Sequence, residues 1–177
     1  MRNIHEAHAF HLKAIPLRIL FALNSYDKGD GIFPMEVTIA KATTLRQCQV
    51  NIAKKELREK GFIDWVLEDR GRGKLICHYE IKEKSYSQPE DWNPSKHLFM
   101  YRSLWSDFSA EEWRFLCLIN TINGWHTYSL RKRLKLWGMG LGHYKKMKDR
   151  LDAWMMSENR VEGTLIYQKD RPKPAIF

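Results

Sequence analysis

Cysteine is scarce: Cys48, Cys77 and Cys117 are the only three in 177 residues, and they form no Cys-x-x-Cys pair, so neither a disulfide framework nor a zinc ribbon is expected. No apolar run approaches the ~20 residues that a membrane helix needs. The opening residues, with His5, Glu6, His8 and His11, lack the apolar core of a signal peptide, and the chain reads as soluble and intracellular. Nucleotide-binding loops are missing too. There is no Gly-x-x-x-x-Gly-Lys-Ser/Thr sequence, and Gly138-x-Gly-x-Gly142 follows a helical pattern where a dinucleotide fingerprint needs a strand, so it reads as a turn. His5, His8 and His11 fan out through about 240° of helical rotation and do not form His-Glu-x-x-His, so no metal site is expected. No carboxylate cluster resembles a nuclease centre, and no Ser-His-Asp or Cys-His arrangement is legible. The expectation is a protein with no enzymatic activity and no cofactor.

What the chain does have is positive charge and enough apolar material for a core. The formal charge is +9, the hydrophobic fraction 44%, and the isoelectric point near 9.5. Lys and Arg in that excess favour a polyanionic partner, because neutralising phosphates releases condensed counterions. A merely solvated positive face is the plainer alternative. Six of the seven tryptophans lie from Trp92 onward. Trp113, Trp137 and Trp154 fall on apolar helical stripes and are expected in the core; Trp92 and Trp125 have no such stripe.

Residues 85–95 are polar, contain Pro89 and Pro94 and show no apolar periodicity, so they read as a linker between domains at 1–84 and 96–177. In the first half, Pro16 suits a helix start and Ile19, Leu20, Leu23 and Tyr26 follow at helical spacing. Pro34 opens a second helix with Val37, Ile39 and Ala40 inward, and Thr43-Thr44-Leu45 makes a turn. A third helix places Val50, Ala53 and Leu57 on one face and stops at Gly61. Strands at 62–67 and 75–81 then flank Arg70-Gly-Arg-Gly-Lys74.

The second half repeats this order. A strand is read at 99–101. Ser109 and Glu112 fit a capping box for a helix carrying Trp113, Leu116 and Cys117. Leu130, Leu134 and Trp137 mark a second helix, and Tyr144, Met147 and Leu151 repeat the Val50, Ala53, Leu57 spacing at a 94-residue offset. Residues 161–168 read as a reduced wing. The fold class expected is mainly α with small β-hairpin wings, an α+β chain of tandem winged helix-turn-helix domains. One such domain followed by an unrelated helical domain is the alternative.

Residues 12–82 resemble the winged helix-turn-helix of phage and plasmid replication proteins, of the kind found at the amino terminus of lambda-type replication protein O. The carriers are Gly31-Ile-Phe-Pro34, Thr38-Ile-Ala40, the Val50 to Leu57 spacing and Glu59-Lys-Gly-Phe-Ile63. Met35 stands where the family has a Ser cap, and Arg46 where its recognition helix starts with Ser or Thr; Thr44 with Gln47 offers another capping box. The resemblance implies a sequence-specific double-stranded DNA-binding protein in a bacterial or phage-infected cytoplasm, either initiating replication or regulating transcription. The replication or transcription machinery is a further partner it implies.

With Val50, Ala53 and Leu57 inward, Gln47, Cys48, Asn51 and Lys55 are expected to face out, with Arg46 and Gln49 at the exposed end. Gln and Asn suit adenine, Arg suits guanine, and Lys suits guanine or phosphate. Arg70, Arg72 and Lys74 are read as a phosphate or minor-groove clamp. In the second half Arg131, Lys132, Arg133, Lys145 and Lys146, with His143 at the helix start, suit phosphates more than bases. Cys48 on the reading face is expected to be an ordinary thiol. The reading of a different class is an interaction or adaptor protein that docks on a replication, transcription or defence complex, with DNA contact secondary. The oligomeric state stays open.

Overall fold

Helix α1, Ala14–Ser25, is apolar round most of its circumference, and a helix with that pattern has to be covered on more than one side. A computed structural model of the chain describes residues 11–27, 31–69, 71, 75–82, 104–121 and 127–156, and in it Pro16, Leu17, Ile19, Leu20, Ala22 and Leu23 of α1 are all buried. Helices α2 (Glu36–Thr43) and α3 (Gln47–Glu59) pack against α1. Strands β1 (Ile63–Asp69) and β2 (Leu75–Ile81) form one antiparallel hairpin, in register from Ile63 opposite Ile81 to Asp69 opposite Leu75. Beyond them lie the short α4 (Leu104–Asp107), then α5 (Ala110–Thr121), α6 (Leu130–Trp137) and α7 (Leu141–Met156). Among the described residues the chain is thus mostly helical with one two-stranded sheet, an α+β arrangement.

Helix α5 also packs on α1, where the Phe21 ring meets Trp113 edge-on at 5.3 Å. One continuous cluster of buried side chains therefore runs from Leu12 through Leu57 and Tyr79 to Trp113, Trp137 and Leu151. Trp113, Trp137 and Trp154 are buried, as their stripes require. Phe115 touches both Trp137 and Tyr144 edge-on, at 5.7 and 5.8 Å, and so pins α6 and α7 to α5.

The most unusual occupant of this core is Arg18, 1% exposed. One nitrogen of its guanidinium donates to Thr43 O at 3.2 Å and Thr44 Oγ1 at 3.4 Å, the other to Phe108 O at 2.8 Å and Ser109 O at 3.0 Å. The charge faces carbonyls at the ends of α2 and α4, where backbone dipoles leave negative partial charge. Burial pulls its pKa down to about 10, which leaves it a cation at neutral pH.

The helical elements recur in the same order in the two halves. Helices α1 and α5 have 12 residues each, and α2 and α6 have 8 each. Both 8-residue helices end in the left-handed region, at Thr44 (φ 57°, ψ 30°) and Gly138 (φ 63°, ψ 35°). The closing bonds match, Leu45 N–H to Ala40 O and Met139 N–H to Leu134 O, both 3.0 Å. The next helix begins three residues after each cap, so α2 and α3 superpose in numbering on α6 and α7 with the 94-residue offset. A glycine accepts that conformation freely, whereas a β-branched residue there is an outlier. Thr44 is held by the Arg18 bond and by the Trp105 carbonyl, 3.3 Å from its hydroxyl.

Some local expectations shift. Helix α1 starts at Ala14, with Pro16 in the first turn where a missing N–H costs little. Helix α2 starts at Glu36, not Pro34, with Met35 at the cap; its buried line is Ile39, Ala40 and Thr43, which turns Val37 out to solvent beside Lys41. Helix α7 begins at Leu141, so Gly142 is helical. The Ser109–Glu112 capping box is present, at 2.7 and 3.3 Å. The linker at 85–95, the strand at 99–101 and the reduced wing at 161–168 lie outside the described residues, as do Trp92 and Trp125.

Two substitutions test this framework. Arg18→Met removes a donor from the buried carbonyls of Thr43 and Phe108, leaving the former only the Thr44 hydroxyl, and should cost ~3–5 kcal/mol in urea denaturation. Gly138→Ala meets no atom within 4 Å, so its cost should be conformational alone, ~1–2 kcal/mol.

Candidate nucleic-acid interface

Helix α3 has Val50, Ala53 and Leu57 buried against α1, which fixes what the other faces present. Arg46 occupies the cap with extended backbone, and Gln49, three residues on, reaches back so that its Oε1 accepts the Arg46 N–H at 3.0 Å. A guanidinium cannot accept a hydrogen bond, so only this half of a capping box operates. The Thr44–Gln47 alternative does not form, because Thr44 is the left-handed end of α2 and Gln47 the first residue of α3.

The expected reading residues separate into two groups. Arg46, Cys48 and Lys55 are exposed. Gln47 is exposed as well, at the first turn on the side toward Glu36, whereas Asn51 is half-buried. The centre of the outward face, one helical turn from Cys48, belongs instead to Ile52, 68% exposed.

The same flank ties α3 to its neighbours. Lys54 is buried; its Nζ lies 2.7 Å from Glu36 Oε1 and stands over the rings of Trp65 at 5.1 Å and Tyr79 at 4.8 Å. Arg58 stacks on Trp65 at 4.3 Å and pairs with Asp64 at 2.9 Å, and Lys82 reaches the same carboxylate at 3.2 Å. Cation–π contacts and ion pairs therefore set the angle between α3 and the hairpin. No sequence motif signals Glu36 and Lys54, 18 positions apart, and Ile52 escapes notice because patterning draws attention to polar residues on an outward face.

The hairpin has two unlike faces, since side chains alternate along a strand and cross-strand partners share a face. One carries Trp65, Tyr79, Leu67, Cys77 and Leu75; the other carries Asp64, Glu80, Val66, His78 and Glu68. An acidic cleft of about 350 Å³, lined by Asp27, Asp64, His78 and Glu80 among others, adjoins the second face. There Phe33 stacks on His78 at 4.5 Å, and Gly31 (φ 103°) has no room for a Cβ, which would come within 2.7 Å of Phe33. At the tip, Gly71 N–H donates to Asp69 Oδ1 at 2.8 Å. Arg70, Arg72 and Lys74 lie outside the described residues.

In the second half Ser129 caps α6, its Oγ accepting the Lys132 N–H at 3.3 Å. The cations of this surface have different fates. Arg131, Lys135, Lys145 and Lys146 are exposed, as is His143, while Lys132 stands over the Tyr128 ring at 3.6 Å. Arg133 turns inward: its Nε donates to Tyr128 O at 3.0 Å and Nη1 to the Tyr144 hydroxyl at 3.1 Å, so it holds α6 to α7. Lys148 pairs with Asp152 at 2.8 Å, and Arg150 reaches Glu112 at 3.5 Å and Asp107 O at 3.3 Å.

Among the described residues no group of three His, Cys, Asp or Glu is placed to hold a metal ion, and no helix is long and apolar enough to cross a membrane. Comparison with protein-family models, with curated proteins and with solved structures finds no match for this chain.

The Glu36 cluster yields a pH test. Burial works to raise the Glu36 pKa, but the hydrogen bond and charge of Lys54, with the amides of Gln47 and Asn51, outweigh it and hold the carboxyl below its ordinary 4.5. The resulting stabilisation is fully present above 4.5 and is lost as the pH falls through the lowered folded value. Glu36→Gln should cost ~1–2 kcal/mol at neutral pH, a figure reduced for solvent screening. In chemical denaturation the gap to the unmodified chain should close on acidification. A gap independent of pH would assign the loss to shape instead of charge.

Proposed function

We propose that this chain is a sequence-specific double-stranded DNA-binding protein built from two helix-turn-helix units, the first of them winged. In this reading α3 enters the major groove, the β1–β2 hairpin lies beside it as the wing, and α6 with α7 lays Arg131, Lys135, Lys145 and Lys146 along phosphates. The observation that carries the proposal is the recurrence, 94 residues apart, of an eight-residue helix, a left-handed cap and a following helix. Both second helices bury one stripe and turn Arg46 and Lys55, or Lys145 and Lys146, to solvent. The +9 charge and the resemblance of residues 12–82 to phage and plasmid replication proteins support the same reading. Its biological setting is origin binding to start replication, ahead of operator binding to regulate transcription, in a bacterial or phage-infected cytoplasm. No catalytic step is assigned to it.

A second reading, an adaptor docking on another protein, draws on the apolar side chains Val66, Leu67 and Leu75 exposed on the hairpin. Selection of bound sequences from random duplexes, followed by affinity measurements at ~50–200 mM salt, separates the two. The DNA reading expects a selected motif and a steep salt slope. Lys145→Ala combined with Lys146→Ala should weaken all duplexes alike and reduce the slope by ~2, close to one for each phosphate no longer neutralised. Arg46→Ala should instead relax selectivity at one base pair by ~1–3 kcal/mol. A flat salt response with no motif would favour the adaptor.

A further inference from the structure

The outward face of α3 carries an apolar residue at its centre. Ile52 is 68% exposed at the middle of the helix, and Cys48, also exposed, stands one turn before it on the same face. Arg46 and Lys55 are exposed to either side of it, and Glu59 is exposed at the far end of the helix. Gln49 is engaged at the cap and Asn51 is half-buried, so neither amide stands at the centre of this face. A convex helix with an apolar centre and cations beside it complements a groove that offers methyl groups on its floor and phosphates on its walls.

We infer that Ile52 is a specificity-determining residue that packs against thymine 5-methyl groups in the major groove, with the small Cys48 side chain letting the helix approach closely. This deepens the DNA-binding reading and rests on it. The major groove is where thymine displays its methyl, and apolar side chains are what recognise it. The corresponding position of α7, 94 residues on, is Lys146, so the two units divide the work: methyl reading in the first, phosphate contact in the second.

The test uses the full chain and a duplex selected from random sequence, in which thymines are replaced one at a time by deoxyuridine, which pairs identically and lacks only the methyl. The unmodified chain should lose about fourfold in affinity at one or two positions, the equivalent of burying one methyl-sized group. Ile52→Ala should bind those uracil and thymine duplexes equally, Ile52→Val should keep most of the difference, and neither should move the unfolding midpoint, because the side chain is exposed. Salt-dependent binding to a selected motif with no effect of uracil at any position would overturn this inference while leaving the DNA reading intact. So would an undiminished thymine preference in Ile52→Ala, or a change in oligomeric state on that substitution without DNA, which would make the face a protein contact. Failure to bind any duplex would overturn the DNA reading and this inference together.

Discussion

A guanidinium buried among backbone carbonyls governs this structure. Arg18 could be accommodated only where several backbone carbonyls already lacked partners, and helix ends are where those collect. Its four hydrogen bonds go to the end of α2 and to the α4–α5 junction, from opposite halves of the sequence. Desolvating the cation is costly, and that cost is offset only when both sets of acceptors are in place. The Phe21–Trp113 contact and the Arg114 bond to Leu12 O at 2.9 Å strengthen the same junction. Helix α1 is thus a spine common to both three-helix sets.

From that spine, order passes outward through a second polar chain. Glu36 takes the charge of buried Lys54; Lys54 and Arg58 in turn stand over the aromatic rings of the hairpin. Each link is a charge held against a π face or a carboxylate, so α2, α3 and the hairpin cannot rotate independently without exposing one of them.

Much of the fold was legible because it rests on local rules: the Val50, Ala53, Leu57 stripe, the glycine stop at Gly61, the Ser109–Glu112 box and the two hairpin strands all follow from periodicity and capping. The 94-residue echo was visible in three apolar positions. What could not be read are interactions that join distant residues. Nothing in the sequence near Arg18 announces a buried cation, and nothing near Lys54 announces Glu36 as its partner. Arg133 counted as one more surface charge until its contacts with Tyr128 and Tyr144 placed it between helices. Ile52 is illegible for a different reason: amphipathic patterning assigns apolar residues to the inside, and its exposure breaks that rule.

The junction at Arg18 has a further meaning if both units engage one duplex. Arg18 bonds to both halves of the chain, so in that case the separation of the two units would be set by this junction, and the chain would measure DNA as a ruler does. One base pair inserted between the two contact zones would displace the second by ~3.4 Å and rotate it by about a tenth of a turn around the helix axis. A protein joined by a slack tether would absorb that change, whereas this one would feel it as a loss of phase.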